Sequence, residues 1–198
     1  MNKRLSTGAI TGIVITAVVV VLALMGVGTY NSLAKADQSV DAKWSQVENV
    51  MQRRYDLIPN LVSAVKGSMK QEQKVFGAIA DARSSYTKAN TTKEKANANA
   101  KLNSSVGTLI TVIREDYPSL KSNEQVQTLM TQLEGSENRI AVERKRYNEA
   151  VESYNQSVVT FPKNMFANAM GMGKKDYFKA DANASKAPSV DLDTDSGK

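Results

Sequence analysis

From Leu5 to Ala34 the chain carries no charged side chain, and within that stretch the run GAITGIVITAVVVVLALMGVG has only Thr11 and Thr16 as polar residues. A bilayer core is crossed by about 20 apolar residues in helical form, and the run has that length. Lipid offers no partner to a peptide N–H or C=O, so such a run must be helical despite the modest helix propensity of Val and Ile. A transmembrane helix is therefore expected over residues 8–28, behind a short basic N-terminus at residues 1–7. Tyr30 stands where an interfacial aromatic would.

A cleaved signal peptide has a similar layout, with Lys3 and Arg4 as its basic start and Ala34-Lys35-Ala36 as an A-x-A site. Its apolar region, however, spans only about 7–15 residues, so a retained anchor is the expectation. The basic flank places the N-terminus in the cytoplasm and the body outside, as a single-pass protein of the cell membrane. Gly8 and Gly12 form a GxxxG pattern, but at the edge of the run incidental small residues explain it.

Beyond the run, no Gly or Pro occurs between Gly28 and Pro59. Val40, Trp44, Val47 and Met51 recur at helical spacing, so the first bundle helix is expected to continue straight out of the membrane. Pro59 should stop or kink it and suits the first turn of a second helix, with Leu61, Val65, Met69, Phe76 and Ile79 as its stripe. The polar stretch Ala89 to Ser105 reads as a loop grading into a third helix that carries Leu102, Val106, Leu109 and Ile113. Ser122 with Gln125 resembles a capping box opening a fourth. That helix has the clearest period: Val126, Met130, Leu133, Glu137, Ile140, Arg144, Tyr147, Val151, Tyr154 and Val158 alternate steps of four and three, a heptad-like seam. After Phe161-Pro162 the Met- and Gly-rich stretch reads as irregular, and residues 179–198 as a disordered tail. The expected fold is all-α: a transmembrane helix, then an antiparallel four-helix bundle with long helices over residues 29–178.

Composition closes several routes to chemistry. The chain has no Cys and no His, which removes thiolate nucleophiles, Cys/His metal sites and the commonest general base. No phosphate loop or nucleophile elbow is present. No catalytic activity, metal or cofactor is expected, and an enzyme would have to rely on Ser, Lys or carboxylates. The net charge of +6 and pI near 9.4 suit anionic lipid. They argue weakly for nucleic acid, because the basic residues are spread along helices among matching acids.

The chain resembles the LemA family from Met1 through Phe178. The resemblance rests on the apolar run followed by Tyr30-Asn31, on Trp44, and on Arg53-Arg54-Tyr55-Asp56-Leu57-Ile58-Pro59-Asn60-Leu61-Val62. It continues through Ala82-Arg83, Tyr117-Pro118-Ser119-Leu120, Glu137 to Arg144, Tyr147-Asn148 and Tyr154-Asn155. It implies a bacterial single-pass membrane protein with a long-helix bundle. It also implies loose association with envelope quality control and a membrane zinc protease, and no catalytic residue.

The candidate residues all have a structural explanation beside a functional one. Arg53, Arg54 and Asp56 beside Pro59 have the chemistry to grip an anion, yet better suit charges facing Glu137 across a bundle. Glu137 and Arg144 interrupt an apolar seam, so each needs a partner, either the other or Arg54 and Asp56. Trp44, Tyr147 and Tyr154 read as core aromatics, with Asn148 and Asn155 beside the tyrosines. Together these suggest a scaffold or interaction module of the bacterial envelope. It would be bound to the lipid bilayer, self-assembling into a homo-oligomer and open to a membrane-protein partner, with no role for nucleic acid. A sensor or adaptor for a membrane protease is the alternative.

Overall fold

A computed structural model describes residues 7–178. The basic flank with Lys3 and Arg4 and the tail at 179–198 lie outside them. Among the described residues every regular element is a helix: α1 (Thr7–Val65), α2 (Gln73–Lys88), α3 (Thr92–Asp116), α4 (Pro118–Lys121), α5 (Glu124–Val159) and α6 (Lys163–Ala169). The chain is all-α, as expected.

The N-terminal third of α1 is exposed wherever a large apolar side chain occurs, from Ile10 at 50% to Leu24 at 68%. A core helix would be covered, and a soluble protein rarely presents so large an apolar surface to water. Among the described residues this is the one helix long and apolar enough to cross a membrane. It continues without a break into the rest of α1, through Ala34-Lys35-Ala36.

The contacts divide the chain into two compact units. Among the described residues, the first comprises 7–54 and 135–177. Here α1 and α5 run antiparallel, since Trp44 faces Tyr147 while Arg54, ten residues later, meets Glu137, ten residues earlier. Leu33, Val40, Val47 and Met51 of α1 and Ile140, Tyr147, Val151 and Tyr154 of α5 are each at most 4% exposed. The heptad-like seam is thus the buried face of α5, because a repeat of seven keeps one stripe toward a partner helix. Its two charged positions, Glu137 and Arg144, are the half-buried ones.

The second unit takes in residues 55–134. The end of α1, α2, α3 and the start of α5 enclose one core, with Ile58, Leu61, Val65, Ile79, Leu102, Leu109, Ile113, Val126 and Leu133 among its members.

Four boundaries differ from expectation. Pro59 neither ends α1 nor opens a second helix; it lies inside α1, which runs six residues further to Val65. The proline withholds one hydrogen bond from the Tyr55 carbonyl at a cost of about 3 kcal/mol. Ile58, Leu61 and Val65 are each buried to within 1%, and such burial is worth about 1.5–3 kcal/mol per side chain, enough to carry the helix through. Leu61 and Val65 therefore belong to α1, and α2 begins only at Gln73. Secondly, the stretch expected to be a loop from Ala89 is helical from Thr92. Its start is a capping box: Thr91 Oγ1 accepts from the Glu94 N–H at 3.1 Å and the Glu94 carboxylate accepts from the Thr91 N–H at 3.1 Å. Alanine, the best helix former, fills the first turns.

Thirdly, the capping residue of α5 is Asn123, not Ser122. Asn123 Oδ1 accepts from the Val126 N–H at 3.1 Å, while the Ser122 hydroxyl turns back to the Pro118 carbonyl. Lastly, the Met- and Gly-rich stretch is not wholly irregular. It forms α6, then a return segment without regular structure from Met172 to Phe178, which keeps that part of the expectation.

Candidate functional site

The first unit holds a line of polar contacts along the α1–α5 seam, and it gathers most of the residues singled out in the sequence. At one end, Arg54 Nη1 donates to Glu137 Oε2, with the Arg54 side chain 3% exposed and that of Glu137 31%. Burial pushes the Arg54 guanidinium below its ordinary pKa, and the charge and hydrogen bond of Glu137 oppose the shift. An arginine keeps its proton even so, and a buried charge of that kind requires a partner. The seam charge at 137 is thus explained by the second of the two expected pairings.

Ten residues along, the rings of Trp44 and Tyr147 meet at 5.3 Å between centroids and 59° between planes, a tilted aromatic contact. Trp44 is half-buried rather than fully inside. The Tyr147 hydroxyl donates to the Asp176 carbonyl at 3.0 Å. This is the first of several bonds that fasten the return segment.

The densest cluster lies further along the seam. Asn155 uses both ends of its amide on one backbone residue: Nδ2 donates to the Lys175 carbonyl at 2.9 Å and Oδ1 accepts from the Lys175 N–H at 2.8 Å. The geometry imitates a strand pairing and gives each end of a buried amide a partner. The Lys175 ammonium then reaches α1, donating to Asp37 Oδ1 at 2.7 Å and Asp41 Oδ1 at 2.8 Å. It also lies 5.5 Å from the centre of the Tyr154 ring. Asp37 and Asp41 are one helical turn apart, so one cation bridges both.

Sequence reasoning finds Tyr147, Tyr154 and Asn155 but misses Lys175, Asp37 and Asp41. The available signal is the Asp37/Asp41 spacing of four just beyond an uncharged run. Arg53 and Asp56 are exposed, and Asn148, Arg144 and Pro59 are half-buried. The preferred reading, charges facing Glu137 across the helices, holds for Arg54, and the alternative anion grip of Arg53, Arg54 and Asp56 loses that guanidinium.

Burial alone would lower the Lys175 pKa, but hydrogen bonds and charges from Asp37 and Asp41 outweigh it and hold the ammonium above its ordinary 10.5. Burial, with Asp37 nearby, raises the Tyr154 phenol as well. A folded pKa raised above the unfolded one gives stabilisation that is complete below the unfolded value, about 10.4 for Lys, and lost as pH rises through the folded value. The stability gap between wild type and Lys175→Met should therefore stay constant, at about 1 kcal/mol, from neutral pH to about 10. It should close above that, as followed by thermal unfolding in detergent at a series of pH values. A gap that persists unchanged at the alkaline end would refute the bridge.

Chemically, this arrangement is a latch. Its donors and acceptors are spent on each other, which leaves little to bind or turn over a substrate. The second unit offers an open groove of about 730 Å³, bordered by Asn60, Ser63, Glu124, Gln125 and Thr128. A small ligand there would stay largely in water, unlike the deep burial of an established ligand pocket. Among the described residues no three Asp or Glu side chains gather as metal ligands.

Comparison with known proteins gives this seam a family. The model described as LemA family matches residues 43–192. That range begins after the apolar run and takes in Trp44, Arg54, Glu137, Asn155 and Lys175. Two similar relatives are Magnetosome protein MamQ 2 and Magnetosome protein MamQ 1 of Paramagnetospirillum magneticum. Each is 25% identical over 205 residues, covering 89% of this chain and 75% of its own. Magnetosome protein MamQ of Magnetospirillum gryphiswaldense is 24% identical over 175 residues, covering 75% of this chain and 64% of its own. With most of the chain matched, including the Arg54–Glu137 pair and the Asn155–Lys175 contact though not Asp37 and Asp41, this protein belongs to the LemA family.

Proposed function

We propose that the chain is a membrane-tethered helical scaffold without catalytic activity, which holds a self-associating bundle close to a bilayer. The observation that carries this reading is the continuity of α1 from Thr7 to Val65. One helix is lipid-facing at its start and packs against α5 further on, so the anchor leads without a break into the first unit. A retained anchor agrees with it, because Leu33 beside the A-x-A site is fully buried and its loss would open the seam. The seam's polar groups serve packing, and the relatives are named for a structure, the magnetosome, not for a reaction. The N-terminus is cytoplasmic in this reading and the bundle lies outside.

The absence of cysteine supplies the test. Ser68→Cys lies on an exposed turn of the second unit and Ser6→Cys before the anchor. In intact cells, a membrane-impermeant maleimide should label position 68 and spare position 6. In the same preparation, a bifunctional thiol crosslinker should join full-length copies through position 68 or another exposed cysteine. A protein that migrates as a strict monomer in detergent and crosslinks to nothing would defeat the scaffold reading. Crosslinks only to another membrane protein would replace self-assembly with an adaptor role.

A further inference from the structure

The short helix α6 packs on the first unit through Ala167, which is fully buried, and through Phe166. A methyl group in place of the Gly26 hydrogen would stand 3.2 Å from Phe166 Cε1, so the Phe166 ring rests closely on the α1 backbone at this glycine. Gly26 lies inside the uncharged run, nine residues before its first downstream charge, Lys35. At 1.5 Å per residue that is about 13 Å of helix. The chain thus returns from the end of α5 to the depth at which α1 is still apolar.

The side chains around α6 suit that depth. Phe161 is 74% exposed, Met165 63% and Val159 49%, three large apolar groups within seven residues. No acidic residue occurs from Ser153 to Lys175, while Lys163 stands between Phe161 and Met165 and Lys174 follows them. Exposed apolar side chains interspersed with lysine and free of acidic residues have the composition of an interfacial segment. The apolar surface is also continuous with the lipid-facing surface of α1 through the Phe166–Gly26 contact, which a protein partner would not require.

We propose that α6 and its flanks form a second membrane contact, seating Val159, Phe161 and Met165 at the headgroup–acyl boundary of the leaflet from which α1 emerges. The bundle is then held to the bilayer at two points, and rotation of α1 about its own axis is restrained. This rests on α1 spanning the bilayer.

Full-length protein would be reconstituted in vesicles of phosphatidylglycerol and phosphatidylcholine, the latter with brominated or ordinary acyl chains, and recovered by flotation. Wild type, with Trp44 alone, sets the baseline. Val19→Trp reports the anchor, Val142→Trp an exposed site on α5, and Met165→Trp the proposed contact, with Phe161→Trp as a second reporter. The added emission at 165 should fall by more than half in brominated lipid, as at 19, and resist aqueous acrylamide, whereas 142 should do the opposite. If 19 is quenched by lipid while 165 and 161 behave like 142, α6 is in water and the inference fails though the anchor stands. If 165 and 161 are shielded from both quenchers, protein covers them and the inference fails too. If 19 itself escapes the brominated lipid, the anchor reading falls, and this proposal with it.

Discussion

Glu137→Gln is expected to lower the stability of the helical body by about 3 kcal/mol, the low end of what breaking a buried ion pair costs. The low end applies because Glu137 is 31% exposed and part of its charge was already solvated. The penalty falls on its partner, since Arg54 is 3% exposed and keeps a full charge that Gln meets only with a dipole. Arg54→Met should cost less, about 1–2 kcal/mol, because the carboxylate left behind can turn to water. Arg54→Met combined with Glu137→Leu should return close to wild type, as apolar replacements of buried ion pairs often do. Thermal unfolding of full-length protein in detergent, followed by helical circular dichroism, gives all three. If Glu137→Gln unfolds at the wild-type temperature, the pair does not hold the seam. If the double variant is worse than either single one, the pair supplies more than mutual neutralisation.

The contrast between α5 and α3 shows what the sequence discloses. In α5 the alternating steps of four and three from Val126 to Val158 put every apolar member of the stripe on a buried face. Even the interruption at Glu137 signals a partner, and Arg54 is among the charges expected to supply it. The start of α3 gives no such signal, because Ala98 and Asn99 are buried there by small size and not by hydrophobicity. The capping box at Thr91 and Glu94 is visible in the sequence and outweighs the polar composition of the turns behind it. Pro59 misleads for a different reason. A local cost of one hydrogen bond is visible in the sequence, whereas the burial of Ile58, Leu61 and Val65 that offsets it depends on three other helices.

The latch is less legible still. Lys175 and Asp41 are separated by 134 positions, and Lys175 lies in a Gly- and Met-rich stretch where no period indicates which side chains face inward. Asn155 stands out by its repeat with Asn148, but an amide gives no hint in sequence that it will bind backbone. Contacts between a helix and a segment without regular structure leave no periodic trace, so hydropathy patterning does not reach them. The sequence reveals the candidates on the periodic stripe of α5, and it hides Lys175 in the return segment together with the two α1 carboxylates that receive it.

Asn155→Ala should free that return segment while leaving the helices in place. The substitution removes both amide bonds to Lys175, each worth about 1–1.5 kcal/mol, and leaves a buried N–H and C=O that only water can satisfy. The segment should therefore open more often, not remain docked with orphaned groups. At about 1.4 kcal/mol per tenfold, the loss corresponds to roughly 30–100-fold faster amide exchange across residues 172–178. Peptide-level exchange on full-length protein in detergent would read this directly, with peptides from the middle of α5 as the unchanged reference. Asn155→Asp separates the two bonds, because a carboxylate still accepts from the Lys175 N–H but has nothing to donate to the carbonyl. Its exchange should lie between wild type and Asn155→Ala. Wild-type exchange in Asn155→Ala would mean that Lys175, through Asp37 and Asp41, and the Tyr147–Asp176 bond hold the segment without the amide. If Lys175→Met then produces the opening instead, the polar seam owes its closure to charge and not to the amide.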